Sequence, residues 1–281
     1  MLLTYNVINL HLTEICNYRC SYCFAKFNVQ NELGINAWKQ VVDQIKNYFD
    51  LNAIKDGRIN LAGGEPLLLN YLDKLIDYIH SLNIKVSIIT NASLLSKEKI
   101  DRWTDKIDIL GISIDSLKHE TNLTIGRESR GDTVDYNHLV QLLNYAKAKG
   151  IKLKVNTVIS KLNYKEDITK LYEDVNFDRI KILQMRVNKH CNETASDLSI
   201  SDQEFIEYCD KFDDHNIVFE SESDMESSYI FIDPKGNMIS NENHTHNRIG
   251  SILEEDIIDL INKTGINQYR FKKRYITKME A

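Results

Sequence analysis

The sequence predicts an α/β fold, a partial (β/α)6 TIM-like barrel of six parallel strands and six helices. Strand-like and helix-like segments alternate through the first three quarters of the 281 residues. This succession favours parallel strands joined by right-handed crossovers, in a barrel or in a doubly wound sheet. A cysteine-rich loop follows the first strand directly, at the end of the strand where barrel active sites lie. Six units instead of eight predict a barrel that stays open.

The predicted elements follow one another at regular spacing. Strands are expected near residues 6–13, 58–62, 84–90, 107–114, 151–158 and 179–186. Helices are expected near residues 36–49, 69–82, 96–105, 134–149, 165–175 and 201–214. Apolar residues recur at helical spacing in the first two helices, at Trp38, Val41, Val42, Ile45 and Phe49, and at Leu68, Leu72, Leu75, Ile76, Ile79 and Leu82. Ser201 and Glu204 form a capping box that opens the sixth helix.

The last quarter of the chain has a different pattern. It contains a predicted hairpin around residues 229–240, a helix near 252–263 and a basic tail from Arg270 to Lys278. No linker-like segment precedes it. Residues 1–214 are therefore interpreted as the barrel and residues 215–281 as a C-terminal extension that caps the barrel mouth within a single functional unit.

Composition and charge limit the possible functions. The net charge of −6 argues against long nucleic acids as partners, although a small anion could still bind where cations cluster. No apolar run of 18 residues and no export signal is present, so no membrane association is expected. The sequence predicts a cytoplasmic enzyme.

The three cysteines Cys16, Cys20 and Cys23 lie within eight residues. A tight loop can bring their thiolates to one metal centre. A [4Fe–4S] cluster has four irons, so three cysteines leave one iron open for an outside ligand. A structural zinc site would need a fourth ligand, but Cys191 and Cys209 are distant in sequence and form no CxxC pair. Nothing indicates the oxidising compartment that disulfides require. The loop therefore predicts an iron–sulfur cluster.

The second strand ends in Gly63-Gly64-Glu65-Pro66. Glycines let backbone approach a ligand closely, and the Glu65 carboxylate can accept hydrogen bonds from an ammonium group. A simple strand-to-helix turn is the alternative interpretation. The preceding cysteine loop favours a ligand site.

Polar residues alternate with apolar ones in two of the predicted strands. Arg58 and Asn60 share one face of the second strand, and Lys154 and Asn156 share one face of the fifth. Because the outward face of a barrel meets helices, these side chains are expected to point inward. Unpaired cations are costly there, so several of them predict an anion between them. Solvated charges at strand ends are the alternative.

The spacing CxxxCxxC, with Tyr22 before the third cysteine, and the later Gly-Gly-Glu-Pro segment resemble the radical S-adenosylmethionine (SAM) superfamily. This resemblance implies a [4Fe–4S] cluster on Cys16, Cys20 and Cys23, with SAM bound to the open iron. The positions that match SAM-contacting residues of the superfamily are Tyr22, Gly63, Gly64, Glu65, Thr90, Asn91, Ser113 and Asp115.

A closer resemblance is to the viperin family, carried by residues 11–20, 59–66, 112–116, 125–127 and 154–159. It implies dehydration of CTP, UTP or GTP to the 3′-deoxy-3′,4′-didehydro nucleotide, by a 5′-deoxyadenosyl radical that abstracts H4′, in antiviral defence. Electrons would come from a flavodoxin or ferredoxin. The positions that match the triphosphate-binding residues of the family are Arg58, Asn60, Arg127, Lys154, Asn156 and Lys181.

The chain also departs from the family pattern. Ala62 replaces a serine before the glycines, and Glu128 replaces a glycine after Arg127. The family's proton-donor tyrosine aligns near Lys235, which leaves the acid unassigned and Tyr229 as a candidate. Two other functions remain open: a radical SAM enzyme that acts on a peptide, and a non-catalytic zinc-stabilised binding protein.

Overall fold

Ten strands form one sheet in the residues described by the structure, a computed structural model that covers residues 5–189, 191–212 and 217–274. The strands are β1 Val7–His11, β2 Arg58–Ala62, β3 Lys85–Thr90, β4 Ile109–Ser113, β5 Lys152–Ile159, β6 Arg179–Gln184, β7 Ile217–Glu220, β8 Phe231–Ile232, β9 Asn237–Ser240 and β10 Asn247–Ser251.

The helices cover the outer face of this sheet. They are α1 Ile35–Leu51, α2 Leu72–Ser81, α3 Lys97–Trp103, α4 His119–Ile125, α5 Tyr136–Ala148, α6 Thr169–Asp174, α7 Asp202–Cys209, α8 Glu222–Met225, α9 Ile257–Lys263 and α10 Gln268–Lys273, with 3₁₀ turns at Pro66–Leu68 and Glu193–Leu198. None of these helices is long and apolar enough to cross a lipid bilayer.

The sheet has the strand order β10-β9-β8-β1-β2-β3-β4-β5-β6-β7, and strands β1 to β7 run parallel. Its outward side chains are apolar: Ile8 and Leu10 of β1 and Ile59 of β2 are completely buried under the helices. Burial of apolar area between sheet and helices is the main stabilising term of the fold. The two outermost described strands do not pair with each other, so the predicted open, partial barrel is confirmed.

All six predicted strands are present, and the capping box of Ser201 and Glu204 opens α7. Helix α4 was not predicted because only one of its seven residues, Ile125, is buried, which leaves no apolar periodicity to detect. Leu68 was expected on the buried face of the second helix. It lies instead in the 3₁₀ turn, where it is 41% exposed.

The C-terminal region extends the sheet at both edges. Strand β7 continues the parallel series beside β6, while β8 runs parallel to β1 on the other side. Strands β8 and β9 form the predicted hairpin, and β10 adds a further antiparallel strand. This region therefore extends the barrel wall at both edges, and the predicted cap over the barrel mouth stays a prediction. The predicted boundary at 214/215 falls within 213–216, outside the described residues.

Candidate active site

The cysteine loop is held between two neighbouring strand ends and the end of α4. On one side, the amides of Gly64 and Glu65 donate to the carbonyls of Thr13 (2.6 Å) and Ile15 (2.9 Å). On the other side, the Arg19 amide donates to the Gly126 carbonyl (2.9 Å). Backbone hydrogen bonds on both sides fix the path of the loop without using any of its cysteine side chains.

Two glycines make this close packing possible. A Cβ atom on Gly64 would overlap the Ile15 carbonyl, and one on Gly126 would overlap the Arg19 carbonyl. Gly126 also has a φ of +85°, which disfavours other residues. The sequence predicted that Gly63 and Gly64 let backbone approach a ligand. In the structure, the backbone that they approach is that of the cysteine loop itself.

The thiols of Cys16, Cys20 and Cys23 are free and partly buried. Cys16 Sγ accepts from the Tyr18 amide (3.4 Å) and the Asn91 side-chain amide (3.8 Å). Burial raises the pKa of all three thiols, that of Cys20 to about 12. Thiolates at these positions therefore need a cationic partner, which iron supplies.

No group of three or more His, Cys, Asp or Glu side chains within residues 5–189, 191–212 and 217–274 is placed to hold a single metal ion. Such a group would be the mark of a closed zinc site. Thiolates that bind separate irons of a cluster stand farther apart than ligands of one ion. Three thiol ligands leave one of the four irons of a [4Fe–4S] cluster open, so this donor set fits such a cluster.

Glu65 ties the end of β2 to the end of β3. It is completely buried and accepts from the Leu67 amide (3.0 Å), the Thr90 hydroxyl (2.7 Å) and the Asn91 amide (2.8 Å). Burial raises the pKa of this carboxyl group. Glu65 thereby positions Asn91, whose side chain contacts Cys16. The predicted contact of Glu65 with the methionine ammonium of SAM stays a prediction.

Asp115 is the centre of a second buried network. Its carboxylate accepts from the Tyr22 hydroxyl (2.8 Å), the Val158 amide (2.8 Å) and Arg127 Nε. The sequence assigned Tyr22 and Asp115 to SAM and Arg127 to the triphosphate. The structure joins the three side chains in one buried network that includes Tyr22 of the cysteine loop, and the assignment of Arg127 to the triphosphate stays a prediction.

A cavity of about 340 Å³ opens beside these residues. Tyr18, Asn91, Ser113 and Arg127 line it, together with several other residues between positions 114 and 139. This cavity adjoins the cysteine loop and contains three of the residues that the sequence singled out, so it is the candidate SAM site. Another cavity of about 350 Å³, lined by Phe49 and other residues, lies at the opposite end of the strands, far from the cysteines.

The predicted cations do share the inner face of the sheet. The register aligns Lys154 with Arg179 and Asn156 with Lys181 on neighbouring strands. Across the barrel, Arg58 Nε donates to Asn60 Oδ1 (3.1 Å). Burial of the ammonium group, and then the charges of Lys181 and Arg179, lower the pKa of Lys154 well below its ordinary value. A bound anion would relieve this repulsion.

Two inner polar groups of β5 have no partner in the described part of the chain. No ion pair or hydrogen bond joins Lys154 to another described residue. The buried Oδ1 atom of Asn156 also lacks a hydrogen-bond partner. Buried polar groups are almost always satisfied in folded proteins. Lys154 and Asn156 therefore mark a place where a polar, anionic ligand would bind.

Lys181 is already paired, in contrast. It forms a buried ion pair with Glu220, which also accepts from Arg274 Nε (3.2 Å) and from the Tyr229 hydroxyl. The Tyr229 ring stacks on Phe231 at 5.0 Å. The hydroxyl of Tyr229, the candidate proton donor, thus points its hydrogen at Glu220.

Several residues of this interior escaped the sequence analysis. Asn9, which accepts from the Asn60 amide (2.8 Å), and His11 alternate with Ile8 and Leu10 in β1. The same period-two pattern that revealed Asn60 and Lys154 would have found them. Glu220 had no such signal because β7, the strand that carries it, was not predicted.

A set of parallel strands with a cluster-binding loop at their carboxyl ends defines a cofactor-dependent α/β-barrel enzyme. The model of the radical SAM superfamily matches residues 10–175. A "S-adenosylmethionine-dependent nucleotide dehydratase" of Selenomonas ruminantium is 32% identical over 95% of this chain and 98% of its own length. The protein of that name from Flammeovirga pacifica is 31% identical over 95% and 93%.

Solved structures show the same fold. The enzyme anSMEcpe, with bound AdoMet and a peptide, has a TM-score of 0.70 at 14% identity, over 94% of this chain and 83% of that one. SuiB of Streptococcus suis, bound to its precursor peptide, has a TM-score of 0.65 at 18% identity, over 95% of this chain and 66% of that one. At such identities these likenesses establish the fold and do not favour a peptide substrate.

The chain belongs to the radical SAM superfamily and, within it, to the family of S-adenosylmethionine-dependent nucleotide dehydratases, the viperin family. Its cofactors are accordingly a [4Fe–4S] cluster and SAM, as the sequence predicted.

Proposed function

We propose that this protein dehydrates a ribonucleoside triphosphate (CTP, UTP or GTP) to its 3′-deoxy-3′,4′-didehydro form. The observation that carries the proposal is the pairing of two sites inside one barrel. A cysteine loop and a cavity of about 340 Å³ lie at the ends of the first strands, and cations line the inner face of β5 and β6. The names of the relatives supply the reaction type.

Cys16, Cys20 and Cys23 would hold the cluster, and the residues around the cavity would hold SAM. Together these cofactors supply one-electron chemistry that removes a hydrogen atom from an unactivated carbon, here C4′ of the ribose. The chain contributes binding, orientation and exclusion of water. Glu65 and Asp115 keep the walls of the site fixed through hydrogen bonds that are complete before any ligand binds.

The cations of β2, β5 and β6 would hold the triphosphate. The planar guanidinium of Arg58 could bind two phosphate oxygens at once, and the ammonium group of Lys154 could bind another as a point charge. Lys181 is already paired with Glu220. It would therefore attract the phosphates through its charge more than through a direct hydrogen bond. This local charge would let a protein of net charge −6 bind a polyanion.

Loss of the 3′-hydroxyl as water requires a proton. Tyr229 is our candidate donor, and its hydrogen bond to Glu220 places it in a chain of exchangeable protons with Lys181. A cytoplasmic location, a flavodoxin or ferredoxin as electron donor, and a role in antiviral defence complete the proposal, on the strength of the family resemblance.

The experiment incubates reconstituted, reduced protein and SAM with CTP, UTP and GTP separately. 5′-Deoxyadenosine should rise well above its substrate-free level with one triphosphate, together with a nucleotide lighter by one water. If no triphosphate raises it, the proposal is wrong. If the protein fails to bind iron, both enzyme functions fail and the zinc-stabilised binding protein becomes the better explanation.

A further inference from the structure

His11 lies on the inner face at the carboxyl end of β1 and is only 4% exposed. No hydrogen bond joins it to any residue within 5–189, 191–212 and 217–274, and its Nδ1 atom is completely buried. A buried polar atom without a hydrogen-bond partner destabilises a folded protein. Such an atom on the inner face of the barrel, beside the segment that follows Cys23, indicates that a ligand supplies the partner.

Aromatic rings surround this imidazole. Phe27, Phe231 and Phe24 contact it edge-on, with ring centroids 5.0, 5.2 and 6.2 Å away. Burial, and then the neighbouring His246, lower the pKa of His11 to about 3. The imidazole is therefore neutral and carries one donor and one acceptor nitrogen. Its environment fits an uncharged polar ligand group better than a phosphate.

The position of His11 in the barrel indicates which part of a bound nucleotide would contact it. Phe24 and Phe27 belong to the segment that directly follows Cys23, so His11 adjoins the cluster end of the barrel. Two residues earlier on the same face, Asn9 joins the hydrogen-bonded series that leads through Asn60 to Arg58. His11 therefore lies between the cluster and the cations, where the sugar of a bound triphosphate would be.

We propose that His11 hydrogen bonds to a ribose hydroxyl of the substrate and so positions C4′ for hydrogen abstraction. A hydroxyl can either accept from the protonated nitrogen of a neutral imidazole or donate to its other nitrogen. The inference rests on the proposed function. It makes His11 a positioning residue that sets the preference for ribose over deoxyribose.

The role predicts a loss of turnover beyond the loss of binding. The triphosphate is held mainly by cations, so loss of His11 should raise the KM by no more than about tenfold, the contribution of one buried hydrogen bond. The ribose would be held less well, and small displacements of a reacting carbon are costly in rate. In His11→Phe, kcat for the dehydrated nucleotide should fall at least tenfold, and more 5′-deoxyadenosine should form per product. A purely structural role would not change that ratio.

The test compares binding of CTP, UTP and GTP with binding of their 2′-deoxy and 3′-deoxy forms to the reconstituted protein by calorimetry. Wild type should bind the ribonucleotide about tenfold more tightly than one of the deoxy forms, as expected for loss of one buried hydrogen bond. In His11→Phe the preference should fall below twofold, with the affinity for the deoxy form unchanged. His11→Gln, which keeps a donor and an acceptor, should restore part of it.

The same binding measurements are made on His11→Leu. A folding defect in His11→Phe alone would then not decide the result. His80→Phe changes an exposed histidine of α2 and serves as the matched control. The proposal is overturned if wild type shows no ribose preference, or if the preference persists without the imidazole. Absence of any triphosphate binding or turnover in wild type would instead overturn the proposed function.

Discussion

The two sides of the barrel interior treat their polar groups in opposite ways. Around β1 to β4, Glu65 and Asp115 each accept three hydrogen bonds from other parts of the protein, and both are almost completely buried. Around β5, Lys154 and the Oδ1 atom of Asn156 have no partner in the described residues. The two carboxylates of the first side are satisfied before any ligand arrives, whereas these two groups of β5 would be satisfied by a ligand.

This difference matches what each side would bind. A cluster and SAM need an unchanging geometry, which the satisfied networks supply. A substrate must enter and leave, and the ammonium group of Lys154 favours an anion without a permanent structure around it. Polar substitutions on the two sides should consequently have opposite effects on the stability of the empty protein.

The largest effect is expected from Cys20→Ala. With two cysteines left, the cluster should not assemble, and iron content and 5′-deoxyadenosine formation should both fall to background. Iron analysis and absorbance after anaerobic reconstitution measure this. Cys209→Ala, at a half-buried cysteine of α7, should retain both. A fully loaded, active Cys20→Ala protein would show that the loop does not bind the cluster.

Gly64→Ala tests how the first side is built. The new methyl group would overlap the Ile15 carbonyl and displace the cysteine loop, so we expect the free energy of unfolding to fall by about 3 kcal/mol, with reduced cluster content. Gly34→Ala is the control, because its Cβ would meet no atom within 4 Å. Equal denaturant midpoints for the two variants would contradict the packing described here.

Lys154→Met tests the second side. Loss of a charged contact to phosphate should raise the KM for the triphosphate by about 10- to 150-fold, which corresponds to roughly 1.5–3 kcal/mol. The empty protein should become more stable by about 1 kcal/mol, since a half-buried cation without a partner among the described residues is removed. Lys152→Met, at an exposed position of the same strand, should change neither. If Lys154→Met loses stability, Lys154 is a structural residue.

The binding of triphosphate should also depend on pH. The pKa of Lys154 is lowered in the empty protein by burial, Lys181 and Arg179, and a bound anion would raise it again. Binding should therefore take up a proton, and affinity should fall as pH rises above the lowered pKa. For the same reason the empty protein should gain stability with rising pH, because the unfolded chain binds the extra proton.

Calorimetry in buffers of different ionisation enthalpy measures the proton uptake. Wild type should show uptake and Lys154→Met should show less. Equal uptake in both proteins would assign the proton to another group, such as Lys181.

Tyr22→Phe should have the smallest effect. It removes one of three hydrogen bonds to Asp115, and we expect a loss of about 1 kcal/mol in the free energy of unfolding. Arg127 and the Val158 amide still satisfy the carboxylate. The sign of the change in the free energy of unfolding matters more than its size. If Tyr22→Phe stabilised the protein, as Lys154→Met is expected to do, the two sides of the barrel would not differ as described.

The sequence predicted the parts of this site that follow from local pattern. Alternation within β2 and β5 placed Asn60 and Lys154 on the inner face, and the cysteine spacing predicted the cluster loop. Contacts between distant segments could not be predicted in this way. Gly126 belongs to a segment that resembles the family, yet its part in holding Arg19 appears only when α4 and the loop are packed together. Likewise, Glu220 pairs with Lys181 across two strands, and no local pattern indicates that.

A single isotope experiment tests whether the two sides work on one substrate. The active triphosphate is prepared with deuterium at C4′ and incubated with the reduced protein and SAM. Our account predicts one deuterium atom in the 5′-deoxyadenosine that accompanies each dehydrated nucleotide. Dehydrated nucleotide formed alongside 5′-deoxyadenosine that carries no deuterium would contradict it.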